Sequence, residues 1–164
     1  MNMRNRTIVT LMAIVVLVLT FSSCATLRKV SSPPKLVVTP DKTVLSPALI
    51  GKPIAFSGSG WKPEEMVVVE LVLPPGVKMK GVAEGEDVGL AFANADANGN
   101  FKAKMGPMAT LNWFFQVGWT PLLKPDFKQA RPLRPGVYTI KASGMDSQLE
   151  AKATLTFLPP PKKK

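Results

Sequence analysis

Hydrophobic and polar residues alternate in several short runs of this chain, and the alternation predicts β-strands. In residues 150–157 every second side chain is apolar, while Lys152 and Thr154 occupy positions between the apolar ones. A repeat of two residues is typical of a strand with one face in the core and the other in water. Residues 101–105 and 137–143 show the same repeat. The predicted inward positions are Phe101, Ala103 and Met105; Tyr138, Ile140 and Ala142; and Ala151, Ala153, Leu155 and Phe157.

The run Met66–Leu73 is apolar on both faces, which predicts a strand in the middle of a sheet. Val67, Val69 and Leu71 share one face, and Glu70 is the charged residue on the other. A strand that is covered on both sides loses the simple alternation. Three shorter runs complete a prediction of about seven strands, at residues 36–39, 54–56 and 88–93.

Turn-forming residues separate these runs. Asn98-Gly99 is a strong hairpin signal, because both residue types tolerate positive φ angles. No stretch after Cys24 combines helical periodicity with helix caps. About seven short strands with regular turns predict an all-β protein with a β-sandwich architecture. The other turn signals are Gly58-Ser59-Gly60, Pro74-Pro75-Gly76 and Pro135-Gly136.

The order of these motifs resembles the immunoglobulin-like (Ig-like) domains of bacterial surface proteins. Such domains often show a Gly-x-Gly-aromatic-x-Pro turn, here residues 58–63, then an Asp-x-Asn-Gly turn, here 96–99, and Pro-Gly-x-Tyr, here 135–138. The resemblance spans residues 36–158 and is interrupted between 105 and 133. It implies an Ig-like sandwich that acts as an adhesive, spacing or assembly module without catalysis.

Two aromatic residues have structural roles in this prediction. Tyr138 stands near the start of the next-to-last strand, where a tyrosine hydroxyl can bond to nearby backbone in the tyrosine corner of such sandwiches. We expect Trp61 to cover one end of the core.

The N-terminus has the layout of a secretory signal peptide. Arg4 and Arg6 precede 15 uncharged, mostly apolar residues at 7–21, and small Ser22 and Ser23 follow. A membrane-spanning helix typically needs about 20 apolar residues, so a permanent anchor helix is the less favoured alternative.

The single cysteine, Cys24, follows this segment directly. Phe21-Ser22-Ser23-Cys24 resembles the lipobox of bacterial lipoproteins, with Phe in the place where Leu is usual. The resemblance implies cleavage before Cys24 and acylation of that residue, palmitate included, which would attach the protein to a membrane. Ala25 resembles the outer-membrane case if the organism is Gram-negative. We therefore expect an exported, membrane-anchored protein of the bacterial cell envelope.

Composition indicates the segments of the chain and limits its possible partners. We predict a signal peptide at 1–23, a lipid-anchored tether at 24–34, a sandwich domain at 35–158 and a Pro/Lys tail at 159–164. The formal net charge is +10, and removal of residues 1–23 leaves 19 basic and 11 acidic residues. Export separates the protein from the chromosome, so we expect no nucleic-acid partner in spite of this basic character.

The sequence offers few groups for catalysis. It has no histidine, and its one cysteine is assigned to lipidation, so we expect no metal, no cofactor and no enzymatic activity. Asp96, Asn98 and Asn100 resemble the start of a calcium loop. However, the sixth and twelfth positions are Phe101 and Pro107 instead of the required Gly and Glu, which favours a simple turn.

One acidic cluster, Glu84, Glu86 and Asp87, lies in a Gly-flanked stretch. A solvated loop is the favoured interpretation, and weak calcium binding or contact with a basic partner is the alternative.

The segment Gly106–Arg134, called here the aromatic segment, fits no single strand. Prolines interrupt it, it is too long for an ordinary loop, and it is too apolar for plain disorder. Its aromatic residues would either cap the core or form a surface for a partner. The candidate partner-binding residues are Trp113, Phe114, Phe115, Trp119, Phe127, Lys124 and Lys128.

These features predict a non-enzymatic envelope lipoprotein whose domain mediates protein–protein interaction or envelope assembly. The alternative is a module that binds peptidoglycan or another glycan through exposed tryptophans and its basic charge. The partner is thus an unidentified envelope protein or glycan.

Overall fold

Ten strands form three sheets in residues 32–161, the part of the chain that the computed structural model describes. The predicted signal peptide, Cys24 and most of the predicted tether lie outside this part, as do the last three residues of the tail. The strands are β1 (Lys35–Thr39), β2 (Lys42–Val44), β3 (Ala55–Ser59), β4 (Met66–Val72), β5 (Val88–Asn94), β6 (Phe101–Lys104), β7 (Gly118–Trp119), β8 (Pro125–Asp126), β9 (Gly136–Gly144) and β10 (Glu150–Leu158).

Four short helical segments connect some of these strands. Helix α1 (Ala48–Gly51) precedes β3, and helix α2 (Pro107–Ala109) continues directly into a π-helical segment, Thr110–Phe115. A 3-10 turn, Phe127–Gln129, follows β8. Most residues in regular secondary structure therefore belong to strands, which confirms the all-β class.

Two larger sheets carry the fold. One has the strand order β1-β3-β6 and the other the order β2-β10-β9-β4-β5. All neighbours are antiparallel except β2 and β10, which run parallel. The central position of β4 between β9 and β5 agrees with its apolar character on both faces.

Both larger sheets contribute their inward side chains to one core. Val69, Ile140 and Leu155 of the five-stranded sheet are fully buried, and Phe56 and Phe101 of the three-stranded sheet belong to the same cluster. Burial of each such side chain contributes about 1.5–3 kcal/mol. The alternation in residues 101–105, 137–143 and 150–157 therefore predicted the inward faces correctly.

All seven predicted strand runs contain a strand in the structure, at β1, β3, β4, β5, β6, β9 and β10. The three further strands, β2, β7 and β8, have only two or three residues each. So short a strand does not span a full alternation, which is why the sequence pattern did not predict them.

The turn at residues 96–100 is present, but the predicted hairpin is wrong. The amide of Asp96 donates to the carbonyl of Asn100 at 2.7 Å, and Gly99 has a φ of 74°. The flanking strands β5 and β6 nevertheless belong to different sheets. Backbone hydrogen bonds from Trp61 to Gly99 and from Ala95 to Glu65 hold this turn to the segment before β4, and these tertiary contacts outweigh local pairing.

The tyrosine corner is confirmed. The hydroxyl of Tyr138 donates to the backbone carbonyl of Arg134 at 2.8 Å. Burial raises the pKa of this phenol, against the smaller opposing effects of the Arg134 contact and charge. Trp61 is buried, and its ring meets that of Phe101 edge to face at a centroid distance of 5.0 Å.

Candidate interaction site

The aromatic segment begins as a helix that is locked to the core. Pro107 stands at the first helical position, where its missing N–H leaves no bond unmade. Thr110 is buried, and its hydroxyl donates to the carbonyl of Gly106 at 3.0 Å. The helical segment ends at Gln116, which has a left-handed backbone with φ of 46°.

The first three aromatic candidates face the interior. Phe114 is fully buried and meets Phe157 edge to face at 5.0 Å. Phe115 is buried in a second, smaller cluster, and Trp113 is half-buried against the main core. The expectation that Phe114 and Phe115 contact a partner directly does not fit this burial, because both rings already pack inside the domain.

Trp119 is also tied to the domain. Its ring is half-buried against the smaller cluster of Leu111, Phe115 and Val117. Its indole N–H donates to the side-chain oxygen of Asn112 at 2.9 Å. This arrangement fixes strand β7 against the π-helical segment and leaves little of the indole free to stack on a ligand.

The opposite end of the segment reaches into solvent. Strands β7 and β8 pair in the register Gly118 to Asp126, and residues 120–124, called here the hairpin tip, connect them. At this tip Leu122 is 78% exposed and Leu123 is 80% exposed. Phe127, just after β8, is 52% exposed.

The hairpin tip is an ordered turn. The amide of Leu123 donates to the carbonyl of Thr120 at 2.9 Å, and the amide of Lys124 donates to the hydroxyl of Thr120 at 3.1 Å. Leu123 has a φ of 55°, a backbone region that a bulky non-glycine residue occupies only at an energetic cost. Two leucines are thus held in water by a strained, hydrogen-bonded turn.

Positive charge flanks the exposed apolar residues. Lys124 and Lys128 are both exposed. The only acidic residue of the aromatic segment is Asp126, whose carboxylate accepts hydrogen bonds from the Lys128 amide at 3.0 Å and the Gln129 side chain at 2.8 Å. Of the seven candidates, Lys124, Phe127 and Lys128 are therefore exposed: Lys124 follows Leu123 at the tip, whereas Phe127 and Lys128 come after β8.

Three exposed or charged features were not predicted from the sequence. Phe92 on the edge strand β5 is exposed, because the pairing of β4 with β5 shifts register between Val69 and Glu70, and beyond that irregularity Ala91 and Ala93 face the core instead. Lys78 and Lys80 lie beside Arg131 in a cleft at the base of the hairpin. Alternation in the 88–94 run places Phe92 on the inward face with Val88 and Leu90, so the register shift could not be predicted from it. Likewise, no local pattern shows that residues 78–80 and 131 meet.

The candidate calcium motif is a turn. One oxygen of Asp96 accepts the amides of Asn98 at 2.8 Å and Asn100 at 3.0 Å. The hydrogen bond from the Asn100 amide, with that from Asn98, holds the pKa of Asp96 below its ordinary value. In the described residues no group of three His, Cys, Asp or Glu side chains is arranged to hold a metal ion.

The acidic cluster is divided in the structure. Glu84 and Glu86 are exposed, whereas Asp87 pairs with Lys141 of β9. Glu70, opposite Lys141 in the register of β4 and β9, completes the ion group at 3.2 Å. The hydrogen bond that Lys141 donates to Asp87, followed by the contact with Glu70, outweighs burial and raises the pKa of Lys141.

A buried carboxylate holds two loops together at one end of the domain. Glu65 is 1% exposed, and its oxygens accept the amides of Lys62 at 2.6 Å, Asp146 at 3.3 Å and Ser147 at 3.0 Å. The Ser147 hydroxyl adds a fourth bond at 2.8 Å. Burial alone raises the pKa of Glu65, but these bonds together outweigh it, so the pKa lies below its ordinary value. A carboxylate saturated in this way is structural.

The fold and this site define an all-β domain with an exposed apolar hairpin tip that ends in Lys124. No family model matches the chain, and no curated protein matches it. Among solved structures, it is similar to "macromomycin", with 19% identity over 76% of this chain and 99% of that one at a TM-score of 0.40.

It is also similar to a Bifidobacterium adolescentis GH3 beta-glucosidase, with 17% identity over 68% of this chain and 16% of that one at a TM-score of 0.35. Likeness at these levels is too low to establish a common family. None of the described helices is long and apolar enough to cross a membrane.

Proposed function

We propose that this protein is a non-enzymatic lipoprotein of the bacterial cell envelope whose Ig-like domain binds another envelope protein through the hairpin tip. The observation that carries the proposal is the pair Leu122 and Leu123, exposed on an ordered turn. Transfer of two such side chains from water into a partner's pocket would contribute about 3–6 kcal/mol. Because the turn is already ordered, little further entropy is lost on binding.

The Ig-like assignment rests on the two larger sheets and the tyrosine corner. The hydroxyl of Tyr138 bonds to backbone four residues upstream, as in that type of sandwich. The lipoprotein assignment rests on the sequence around Cys24. Lys124 at the tip favours a partner with acidic groups around an apolar pocket.

A protein partner is preferred over a glycan because the tryptophans are not available as stacking surfaces. Trp61 is buried, and Trp113 and Trp119 are half-buried against the two apolar clusters. Two aliphatic side chains at the tip suit an apolar protein pocket better than the face of a sugar.

The proposal is tested by crosslinking in cells. A photoreactive amino acid at position 122 is expected to give a discrete adduct with one envelope protein, and L123S is expected to abolish that adduct. The matched control places the same group at Val37, which is exposed on β1. The same adducts at both positions, or none at position 122, would contradict the proposed surface.

The membrane attachment has its own test. C24S is expected to release the protein from the membrane fraction, and mass analysis of the mature N-terminus is expected to show an acylated Cys24. An unmodified N-terminus, or a C24S protein that stays with the membrane, would overturn the lipoprotein assignment.

A further inference from the structure

A basic cleft lies at the base of the hairpin, apart from the hairpin tip. It has a volume of about 570 Å³, and a second depression of about 400 Å³ shares three of its lining residues. Residues 76–80 line one side, and residues 116–118 and 128–134 line the other. The charged lining residues are Lys78, Lys80, Lys128, Arg131 and Arg134, and no acidic residue lines either depression.

None of these five cations has a carboxylate within 4 Å among residues 32–161. The lysines that do form ion pairs there are Lys62 and Lys141, which lie elsewhere. The nearby carboxylate of Asp126 is occupied by the Lys128 amide and the Gln129 side chain. Several like charges around one concave space repel one another, and such a cleft raises the local concentration of anions.

The walls of the cleft are fixed to the core. Met79 is buried, so the lysines on either side of it are held at the cleft by an anchored residue. The amide of Arg131 donates to the carbonyls of Phe115 at 3.1 Å and Gln116 at 3.3 Å. These backbone bonds fix the position of Arg131. Its guanidinium has no carboxylate within 4 Å among residues 32–161 and points to no structural ion pair there.

The floor of the cleft is closely packed. A Cβ atom at Gly118 would lie 2.9 Å from the Gln129 side chain, so only glycine allows this approach. Gln116, in its left-handed conformation, lines both depressions. Strained backbone and a π-helical segment are both features that concentrate at binding sites.

We propose that this cleft binds a ligand that carries phosphate groups. A guanidinium presents paired N–H donors that match phosphate oxygens, and lysines around it supply further charge. The volume of the cleft lies within the range of small-molecule sites, and it is larger than the volume that a single small ion occupies. Because the two depressions share Lys78, Gln116 and Arg131, a ligand with two phosphate groups would occupy both.

This site is independent of the proposed partner surface. All five charged lining residues, Lys128 among them, lie outside the hairpin tip at 120–124, and L123S leaves the lining of the cleft intact. Failure of the crosslinking experiment would therefore not contradict phosphate binding in the cleft. Absence of phosphate binding would likewise not contradict the proposed partner surface.

The test is calorimetric titration of the full-length protein in detergent with pyrophosphate at low ionic strength. Saturable binding is expected, with R131Q and K78Q each weakening it by about tenfold, which equals about 1.4 kcal/mol. The matched control is K152Q, which removes the same charge from an exposed position of β10 that does not line the cleft. K152Q is expected to bind like the wild type, and thermal unfolding checks that all three variants fold.

Three results of the titration would overturn the proposal. They are absence of saturable binding, equal weakening in K152Q and R131Q, or malonate binding as tightly as pyrophosphate. The source of the phosphate is then found by competition. Glycerol phosphate represents a soluble ligand, and micelles that contain phosphatidylglycerol represent a lipid headgroup. Displacement of pyrophosphate by either supports the site, and displacement by neither contradicts it.

Discussion

Replacement of the buried carboxylate of Glu65 is the most direct test of how this domain is held together. In E65Q the side chain keeps its size but loses its charge and one of its two acceptor oxygens. In the wild type, one oxygen accepts from Lys62 and the Ser147 hydroxyl, and the other from the amides of Asp146 and Ser147. If the new NH2 group faces the amides of Asp146 and Ser147, both lose their acceptor. In the other placement the Lys62 amide loses its acceptor, and the Ser147 hydroxyl turns to accept from the NH2 group.

The expected cost follows from the one or two bonds to backbone amides that are lost. A hydrogen bond to a charged acceptor contributes about 1.5–3 kcal/mol, so E65Q should lower the free energy of unfolding by about 1.5–6 kcal/mol. A domain of this kind has a total stability of about 5–15 kcal/mol, so the loss would be a large share of it. Urea unfolding at pH 7, followed by tryptophan fluorescence, measures the difference.

The dependence on pH gives a second readout. The folded-state pKa of Glu65 lies below its ordinary value of 4.5, so its ionised form is favoured by folding. Its contribution is therefore complete above the unfolded pKa and is lost as the pH falls through the folded one. Wild-type stability should decline below about pH 4.5, and E65Q should lack this part of the decline.

The neighbouring residue provides the control. Glu64 is exposed, so E64Q removes the same charge with an expected change within about 0.5 kcal/mol. If E65Q unfolds within about 1 kcal/mol of E64Q, the four hydrogen bonds do not stabilise the fold as argued.

Three further substitutions test other contacts. F114A should lower the free energy of unfolding in urea by about 3–5 kcal/mol because it empties a fully buried site, whereas F127A should lower it by less than about 1 kcal/mol. Equal effects would refute the division of the aromatic segment into core and surface. G144A should destabilise the domain, because its Cβ atom would lie 2.6 Å from a Glu65 oxygen, and a thermal midpoint equal to wild type would speak against that close approach. Y138F should cost about 1 kcal/mol by loss of the hydroxyl bond, and an unchanged urea midpoint would show that the tyrosine corner contributes nothing.

The main strands were predictable because burial imposes a repeat on them. In β9 and β10 the inward residues alternate over nine positions, and the repeat is visible without any knowledge of the partners. The turn at Asn98-Gly99 was also predictable, but its role was not. Whether two strands joined by a turn pair with each other depends on distant residues, here Trp61 and Glu65.

The candidate site was predictable only in part. The unusual composition of the aromatic segment identified it as special, yet composition cannot say which of Phe114 and Phe127 faces water. That outcome depends on a π-helical segment that turns Phe114 toward Phe157. The basic cleft depends on contact between residues about 50 positions apart, which no local pattern encodes.

The position of Ser32 and Pro33 limits how far the domain can lie from a membrane to which Cys24 is attached. The backbone carbonyls of Ser32 and Pro33 lie against Gly60, where a Cβ atom would meet them at 2.6 and 3.1 Å, so the chain joins the folded domain at Ser32. If Cys24 carries the lipid, the stretch from Cys24 to Ser32 spans at most about 28 Å when fully extended. The domain would then stay close to the membrane. It would have a high effective concentration for targets next to the membrane, and it could not reach targets deeper in the envelope.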